Sequence, residues 1–288
     1  MEVNKRTPGK PPWLRVRYAE NQNRKDVEQT LAELGLNTVC AEANCPNYME
    51  CFSRRTATFL IMGIICTRAC GFCNVNRGDP QELNPQEPEN IAQAVKALAL
   101  TYAVVTSVTR DDLDDGGAGH FAKVIYAIQN TSAKTVIEVL VPDFKGNMTA
   151  LETVAGAFPA VISHNMETVK SLYARVRPQA EYRRSLDLIK HIRQFDPRIR
   201  AKSGILVGLG ETKEQVHQLF DDLRESGCEF LTIGQYLAPS KQHLPVKEYI
   251  TPAQFEAYRT EALHRGFTFV MSAPLVRSSF RAGEAFGI

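Results

Sequence analysis

Seven cysteines stand at positions 40, 45, 51, 66, 70, 73 and 228, and all but the last fall within one short stretch of the chain. An odd, clustered set of thiols suits metal binding in a reducing compartment better than disulfide pairing. Cys66, Cys70 and Cys73 form C-x3-C-x2-C directly behind the apolar run TFLIMGII. A closed structural zinc site wants four protein ligands, typically as two paired knuckles. An iron cluster held by three thiolates instead leaves one iron open to an outside ligand. Cys40, Cys45 and Cys51 form C-x4-C-x5-C, a poor zinc knuckle because both spacings exceed the usual pair and no fourth Cys or His follows nearby. Cys228, alone in SGCEFLTIG, reads as a small core hydrophobe.

The rest of the chain has to position these thiols. Short apolar, β-branched runs at 58–65, 102–108, 135–141, 160–164, 203–209 and 229–236 read as strands, each followed by a helical pattern. Thr212 with Gln215, and Thr251 with Gln254 behind Pro252, read as capping boxes. Val216, Leu219, Phe220 and Leu223 then give the first of these helices one apolar face. Six β/α units in series require parallel pairing, so the expected fold class is α/β, an incomplete (β/α)6 TIM-type barrel. A loop behind the first strand lies at the C-terminal face of such a barrel, where substrates bind.

Residues 1–57 read as an N-terminal extension carrying the first cysteine triad, with a helix from Asp26 to Gly35 presenting Val27, Thr30, Leu31 and Leu34. Residues 58–266 are expected to form the barrel. Residues 267–288 form a tail: a short apolar run from Thr268, then an irregular end with Arg and Ser. The 288 residues, 44% apolar, suffice for one large domain with a tail. A net charge of +2 leaves no footprint of the kind nucleic-acid or membrane binding requires. The start MEVNKRTPGKPPW lacks an apolar leader segment, and no apolar run approaches the roughly 18 residues of a membrane span. The expectation is a cytoplasmic, monomeric protein.

The arrangement Cys66, Cys70, Phe72, Cys73 resembles the signature of the radical S-adenosylmethionine (SAM) superfamily. The resemblance implies a 4Fe-4S cluster on those cysteines, SAM chelating its unique iron, and reductive cleavage to a 5'-deoxyadenosyl radical. A second triad ahead of the first is similar to the lipoyl synthase family, in which an auxiliary 4Fe-4S cluster supplies sulfur. RSSF (277–280) is similar to that family's C-terminal Arg-Ser-Ser-Tyr, whose serine provides an oxygen ligand to the auxiliary cluster; Phe280 departs from the usual Tyr. By resemblance the ligand is Ser279 in preference to Ser278. A serine oxygen holds iron more weakly than a thiolate, which suits a ligand meant to leave. KPPWLR (10–15), SVTRDDLDDGGA (107–118), SHNMETV (163–169), VRP (176–178), SGILVGLGET (203–212) and GQYLAPS (234–240) carry the likeness over nearly the whole chain.

The same resemblance points to SAM contacts. The acidic run around Asp112 follows the second strand, where the equivalent loop meets the SAM amino group; read as residues alone, it is equally an Asx-rich turn. Asn165 and Glu167 close the fourth strand and suit the SAM ribose, with an N-cap on the next helix as the rival role for Asn165. Arg177 suits the SAM carboxylate, with an ordinary surface arginine as the rival. No spaced histidine pair, phosphate loop or nucleophile elbow appears. The resemblance implies insertion of two sulfurs at C6 and C8 of an octanoyl chain on a carrier-protein lysine, the carrier being an E2 lipoyl domain or the glycine cleavage H protein. A ferredoxin or flavodoxin would supply electrons. The alternatives are another sulfur-inserting radical SAM enzyme, such as a methylthiotransferase, and a non-enzymatic iron-sulfur electron carrier.

Overall fold

Eight strands pair side by side in the order in which they follow along the chain. They are β1 (Asn37–Thr38), β2 (Thr58–Ile61), β3 (Tyr102–Ser107), β4 (Val136–Leu140), β5 (Val161–Ser163), β6 (Arg200–Val207), β7 (Phe230–Gln235) and β8 (Phe269–Ser272). The computed structural model describes residues 9–16, 21–54 and 56–288. The first eight residues, part of the segment read above for a leader, lie outside the described residues. From β2 to β8 every pairing is parallel, and only β1 is antiparallel to its neighbour. Helices Glu87–Ala97, Ala118–Thr131, Met148–Ala155, Tyr182–Phe195, Lys213–Glu225 and Pro252–His264 make the crossovers that parallel strands need. β1 and β8 do not pair with each other, so the sheet stays open, a partial TIM barrel.

Three strand readings need correction. The run 58–65 leaves the sheet after Ile61 because Met62 and Gly63 adopt left-handed backbone, φ +67° and +88°. Its last residue, Ile65, pairs with Asn76 in a separate two-stranded ribbon that also joins Cys66 to Arg77. The sixth strand in the sheet starts at Arg200, before the expected 203. Its charged start concealed it: Lys202 is buried and bonds both Glu138 oxygens at 2.7 and 2.9 Å, while the Tyr102 hydroxyl donates to Glu138 at 2.6 Å. The apolar run opening the tail is a seventh parallel strand, β8, paired from Phe269 to Ser272 with β7. Among the described residues no α-helix follows it, only a 3-10 turn at Ala282–Phe286, so it lacks the β/α alternation that marks the others.

Capping and faces follow the residue types. Thr212 and Gln215 make both halves of a capping box, and Val216, Leu219, Phe220 and Leu223 are buried behind it. Thr251 accepts from the Gln254 N–H at 3.2 Å, but only that forward half is formed. Ahead of the barrel, helix Gln22–Glu33 buries Val27 and Leu31, and Asn90 of the first crossover helix donates to the Leu34 carbonyl at 3.0 Å. Cys228 is fully buried, its thiol against the Phe230 carbonyl at 3.3 Å. No helix among the described residues is long and apolar enough to cross a membrane.

Past the end of β5, a directional chain of hydrogen bonds runs through the interior. Arg177 Nη1 donates to the Tyr173 hydroxyl (2.7 Å), which donates to Ser185 Oγ (2.7 Å), which meets His164 Nε2 (3.0 Å). His164 Nδ1 must carry its proton, because its partner at 2.9 Å is the Val141 carbonyl, which can only accept. Burial, reinforced by Arg177, pushes the His164 pKa down to about 4. An unfolded histidine binds a proton near pH 6.5, so between pH 6.5 and 4 the unfolded chain holds a proton that the native ring refuses. Native stability should therefore fall by about 3 kcal/mol across that window as the pH drops, from this residue alone, and stop falling from this cause below it. Urea midpoints measured from pH 7 to 4 check this. His164→Gln should flatten the slope; an unchanged slope in that variant rules out the assignment.

Candidate active site

The C-x3-C-x2-C loop sits beyond the C-terminal end of β2. Cys66 Sγ accepts two backbone N–H groups, from Arg68 at 3.4 Å and Thr109 at 3.3 Å. The turn holding Cys70 and Cys73 is gripped by other barrel loops. Gly71 N–H donates to Val176 O at 2.9 Å, Leu244 N–H donates to Gly71 O at 3.1 Å, and the His243 ring meets Cys73 O at 3.0 Å. Phe72 packs in a small apolar cluster with Val176, Leu209 and Tyr236. Burial pushes the Cys73 thiol up to about 12, and Cys70 and Cys66 add to the effect. Cys70 is raised by burial too, with Arg177 pulling the other way. All seven cysteines are free of disulfides.

A buried ion network fixes this loop. Arg68, between Cys66 and Cys70, forks onto Asp111 at 2.7 and 2.9 Å and reaches Asp143 at 2.6 Å. Asp143 is wholly buried and also meets Arg184 at 3.3 Å. Burial alone would raise its carboxyl, yet the Arg68 guanidinium beside it holds the pKa at about 2. The sequence reading missed Arg68, Asp111 and Asp143 as a unit; the available signal was a lone arginine inside the cysteine spacing. Asp112, singled out from the acidic run, turns instead to Arg110, with contacts of 2.8 to 3.1 Å, and is part exposed. That pairing lowers its pKa, against the raising effect of burial.

Asn165, Glu167 and Arg177 come together past the end of β5. The Asn165 side-chain amide donates to Glu167 Oε1 at 2.9 Å and to Ser278 Oγ at 2.6 Å. It caps no helix: the next turn, Lys170–Leu172, is preceded by Val169 and has no side-chain cap. Arg177 is no surface residue either. It is buried and donates from Nη1 to the Asn165 carbonyl at 2.6 Å. Burial raises the Glu167 pKa, with Arg177 opposing. Asn165 Oδ1, Arg177 Nε and, at the end of β3, Ser107 Oγ are buried with no hydrogen-bond partner in the protein. Buried polar atoms are nearly always satisfied. Three orphans near the ends of the strands therefore fit a polar ligand bound beside the cysteine loop, as SAM would be.

The second triad lies near the starts of β2 and β3. Cys40, Cys51 and Ser279 line one cavity of about 630 Å³ together with Thr58, Tyr102 and Val104. Thr58 Oγ1 donates to Ser279 Oγ at 2.7 Å, and Thr58 also lowers the Cys40 pKa against the larger effect of burial. Thr58 is a residue the sequence reading missed, visible only as a polar start to an apolar strand. Asn47 and Glu50, inside the C-x4-C-x5-C spacing, hold the tail: Asn47 Nδ2 donates to Leu275 O at 2.7 Å, and Arg281 meets Glu50 at 2.7 Å. Burial pushes Cys40 up to about 11 and Cys51 to about 12, and it raises Cys45, which Arg277 opposes. Thiols whose pKa is raised by burial release their protons when a metal ion binds them, so these buried cysteines suit a metal cluster more than bare thiolates. Among the described residues no three His, Cys, Asp or Glu side chains converge on a single-ion site.

Comparison with known proteins agrees with this geometry. A family model described as "Radical SAM superfamily" matches residues 60–223. The lipoyl synthase of Alkaliphilus metalliredigens is 55% identical over 276 residues, 96% of this chain and 95% of that protein. That of Caldicellulosiruptor saccharolyticus is 57% identical, covering 96% of each. Among solved structures, methylornithine synthase superposes with a TM-score of 0.50 at 14% identity, covering 91% of this chain and 85% of the other. Streptococcus suis SuiB bound to S-adenosylmethionine gives 0.57 at 12%, covering 88% and 56%. These two show likeness of fold. The near full-length identity to lipoyl synthases favours that family over the methylthiotransferase and electron-carrier alternatives.

The ion network yields a test. Arg68→Met should leave Asp143 buried against Arg184 alone and destabilise the chain by about 3 kcal/mol, the usual cost of breaking a buried pair from one side. Chemical denaturation reads the loss, and iron retention after desalting should fall with it, because the loop between Cys66 and Cys70 loses its anchor.

Proposed function

The chain belongs to the lipoyl synthase family of the radical SAM superfamily, and from that premise we propose how its residues divide the work. It is a radical SAM, sulfur-inserting enzyme using SAM and 4Fe-4S clusters. In our reading Cys66, Cys70 and Cys73 hold the cluster that binds SAM, while Phe72, the Asp112 loop, Asn165, Glu167 and Arg177 form the SAM pocket. Cys40, Cys45, Cys51 and Ser279 hold the auxiliary cluster. When bound, these groups supply a hydrogen-abstracting radical and the sulfur to be inserted. The substrate is an octanoyl-lysine on a lipoyl carrier protein, thiolated at C6 and C8.

The observation that carries this assignment is the meeting of Cys40, Cys51 and Ser279 on one cavity, although the serine is more than 200 positions away in sequence. The residues' tasks are to hold, orient and exclude water, since unactivated C–H bonds lie beyond acid-base chemistry and the cofactor must perform the hard step. Arg177, with Nε free and Nη1 anchored, is disposed to take a carboxylate, and the unpartnered Asn165 Oδ1 to accept from a hydroxyl. We assign residues 1–57 to carrying the auxiliary cysteines, 58–266 to the radical chemistry and 267–288 to closing the auxiliary site. A cytoplasmic monomer reduced by a ferredoxin or flavodoxin, with an E2 lipoyl domain or glycine cleavage H protein as carrier, completes the reading.

Anaerobic reconstitution followed by SAM, dithionite and an octanoyl-lysine peptide tests it, with products read by mass. The chain should bind about eight irons, four per cluster. Changing Cys66, Cys70 and Cys73 together to Ala should remove about half of the iron and all SAM cleavage. The corresponding change at Cys40, Cys45 and Cys51 should leave SAM cleavage but no thiolated product; sulfur insertion in that variant ends the assignment. Ser279→Cys should keep both clusters yet stall after one sulfur, because a thiolate releases iron less readily than a hydroxyl oxygen. A normal lipoyl yield from it removes the release step.

A further inference from the structure

The two tail serines face different sites. Ser279 Oγ meets Thr58 Oγ1 at 2.7 Å on the auxiliary side, whereas Ser278 Oγ accepts from Asn165 Nδ2 at 2.6 Å. That same Nδ2 group gives its other proton to Glu167 Oε1 at 2.9 Å, so both its donors are committed. One amide thus joins the tail to the proposed SAM pocket.

The junction is tightly built. A Cβ placed on Gly204 would lie 2.8 Å from Asn165 Oδ1, 2.8 Å from Thr232 Oγ1 and 2.9 Å from Ser278 Oγ, so only glycine leaves room for these polar atoms to converge. The Asn165 end is rigidly held. Its carbonyl accepts from Arg177 at 2.6 Å, and Glu167 is pinned to β6 on both sides: its N–H donates to Gly204 O at 3.0 Å, and its carbonyl accepts from Leu206 N–H at 2.8 Å. Glu167 also keeps a left-handed φ of 64°, unusual for a residue with a side chain and held there by this pairing.

We propose that Ser278 is a positioning residue that couples the two sites: through Asn165 it lets occupancy of the SAM pocket set how firmly the tail presents Ser279 to the auxiliary cluster. A ligand donating to the unpartnered Asn165 Oδ1 or to the Glu167 carboxylate fixes the orientation of the shared amide, and that orientation decides the strength of the bond to Ser278. Linkage makes the effect reciprocal, so a tail tied to Asn165 also favours SAM. The inference rests on the reading of Asn165 and Glu167 as SAM contacts and of Ser279 as an auxiliary ligand.

Hydrogen exchange of tail amides 276–288, measured by mass spectrometry on the anaerobically reconstituted full chain with and without SAM, tests the coupling. In the unaltered chain SAM should slow tail exchange, and Ser278→Thr, which keeps the hydroxyl, should preserve the response. Ser278→Ala and Gly204→Ala should abolish it, the first by removing the acceptor and the second by crowding the junction. Ser278→Ala should also weaken SAM binding roughly fivefold, the scale of one buried hydrogen bond. Tail exchange indifferent to SAM in the unaltered chain, or an equal response in Ser278→Ala, overturns the coupling while a content of about eight irons leaves the two-cluster reading intact. A content of about four irons overturns that reading and the coupling with it.

Discussion

The parallel sheet does not close on itself, and much of the site arrangement follows from that. β1 and β2 stand at one end, β8 at the other, and the chain has to cover what lies between. After β8 the tail turns back along the barrel, touching Asn165 beyond β5 through Ser278 and Thr58 at the start of β2 through Ser279. It then reaches the strand starts, where the Phe286 ring packs 5.8 Å from Tyr102 and 6.0 Å from Phe230. From the opposite end of the chain, the segment bearing Cys40, Cys45 and Cys51 is attached through β1 and grips the tail with Asn47 and Glu50. The residues assigned to the auxiliary cluster are therefore brought together where the segment before β2 meets the tail that follows β8.

The second constraint is charge. Arg68 sits inside the cysteine loop and spends its guanidinium on two carboxylates from two other strand ends, Asp111 and Asp143. Such a pair adds little net stability, since desolvation consumes most of the attraction, but it allows one geometry only. A loop that must hold three thiols at fixed positions gains more from that specificity than an apolar contact would give. The Lys202, Glu138 and Tyr102 group does the same at the strand starts, joining β6, β4 and β3 through the barrel interior.

The sequence revealed the parts that repeat. Alternating β-branched runs and helical faces announced a parallel α/β sheet, and the apolar stripe from Val216 to Leu223 is buried as its spacing demands. It was silent where a polar residue serves the interior. Arg200 to Lys202 looked like a loop because nothing local reveals that Glu138, 64 positions away, will neutralise the lysine. β8 reads as tail because no helical pattern follows its short apolar run, whereas one follows each of the other six runs. At the site, cysteine spacing was legible because ligand geometry is local. Arg177 and Asn165 could be named but not weighed against surface and capping roles, since burial and partners across the barrel decide between them. Thr58 and Arg68 were hidden for the same reason: their meaning is a contact with residues far away in the chain.

The cations left over point to where negative charge is to be placed. Arg68, Arg110 and Arg184 have carboxylate partners. Arg177 donates only to carbonyls and the Tyr173 phenol, while the one hydrogen bond recorded for the Arg277 side chain goes to its neighbour's carbonyl, Val276 O at 2.7 Å. Among the described residues neither forms an ion pair. Burial lowers the Arg277 pKa, with Cys45 and Glu167 opposing. Glu167 is the carboxylate whose charge acts on both Arg177 and Arg277, so two buried guanidiniums share one counter-charge, and burying charge short of its counterpart is costly. In the proposed assignment a SAM carboxylate would add negative charge beside Arg177, and a cluster on Cys40, Cys45 and Cys51 would add it beside Arg277, whose charge already acts on Cys45. Cofactor and cluster would thus complete electrostatics that the fold alone leaves with two buried cations and one shared carboxylate.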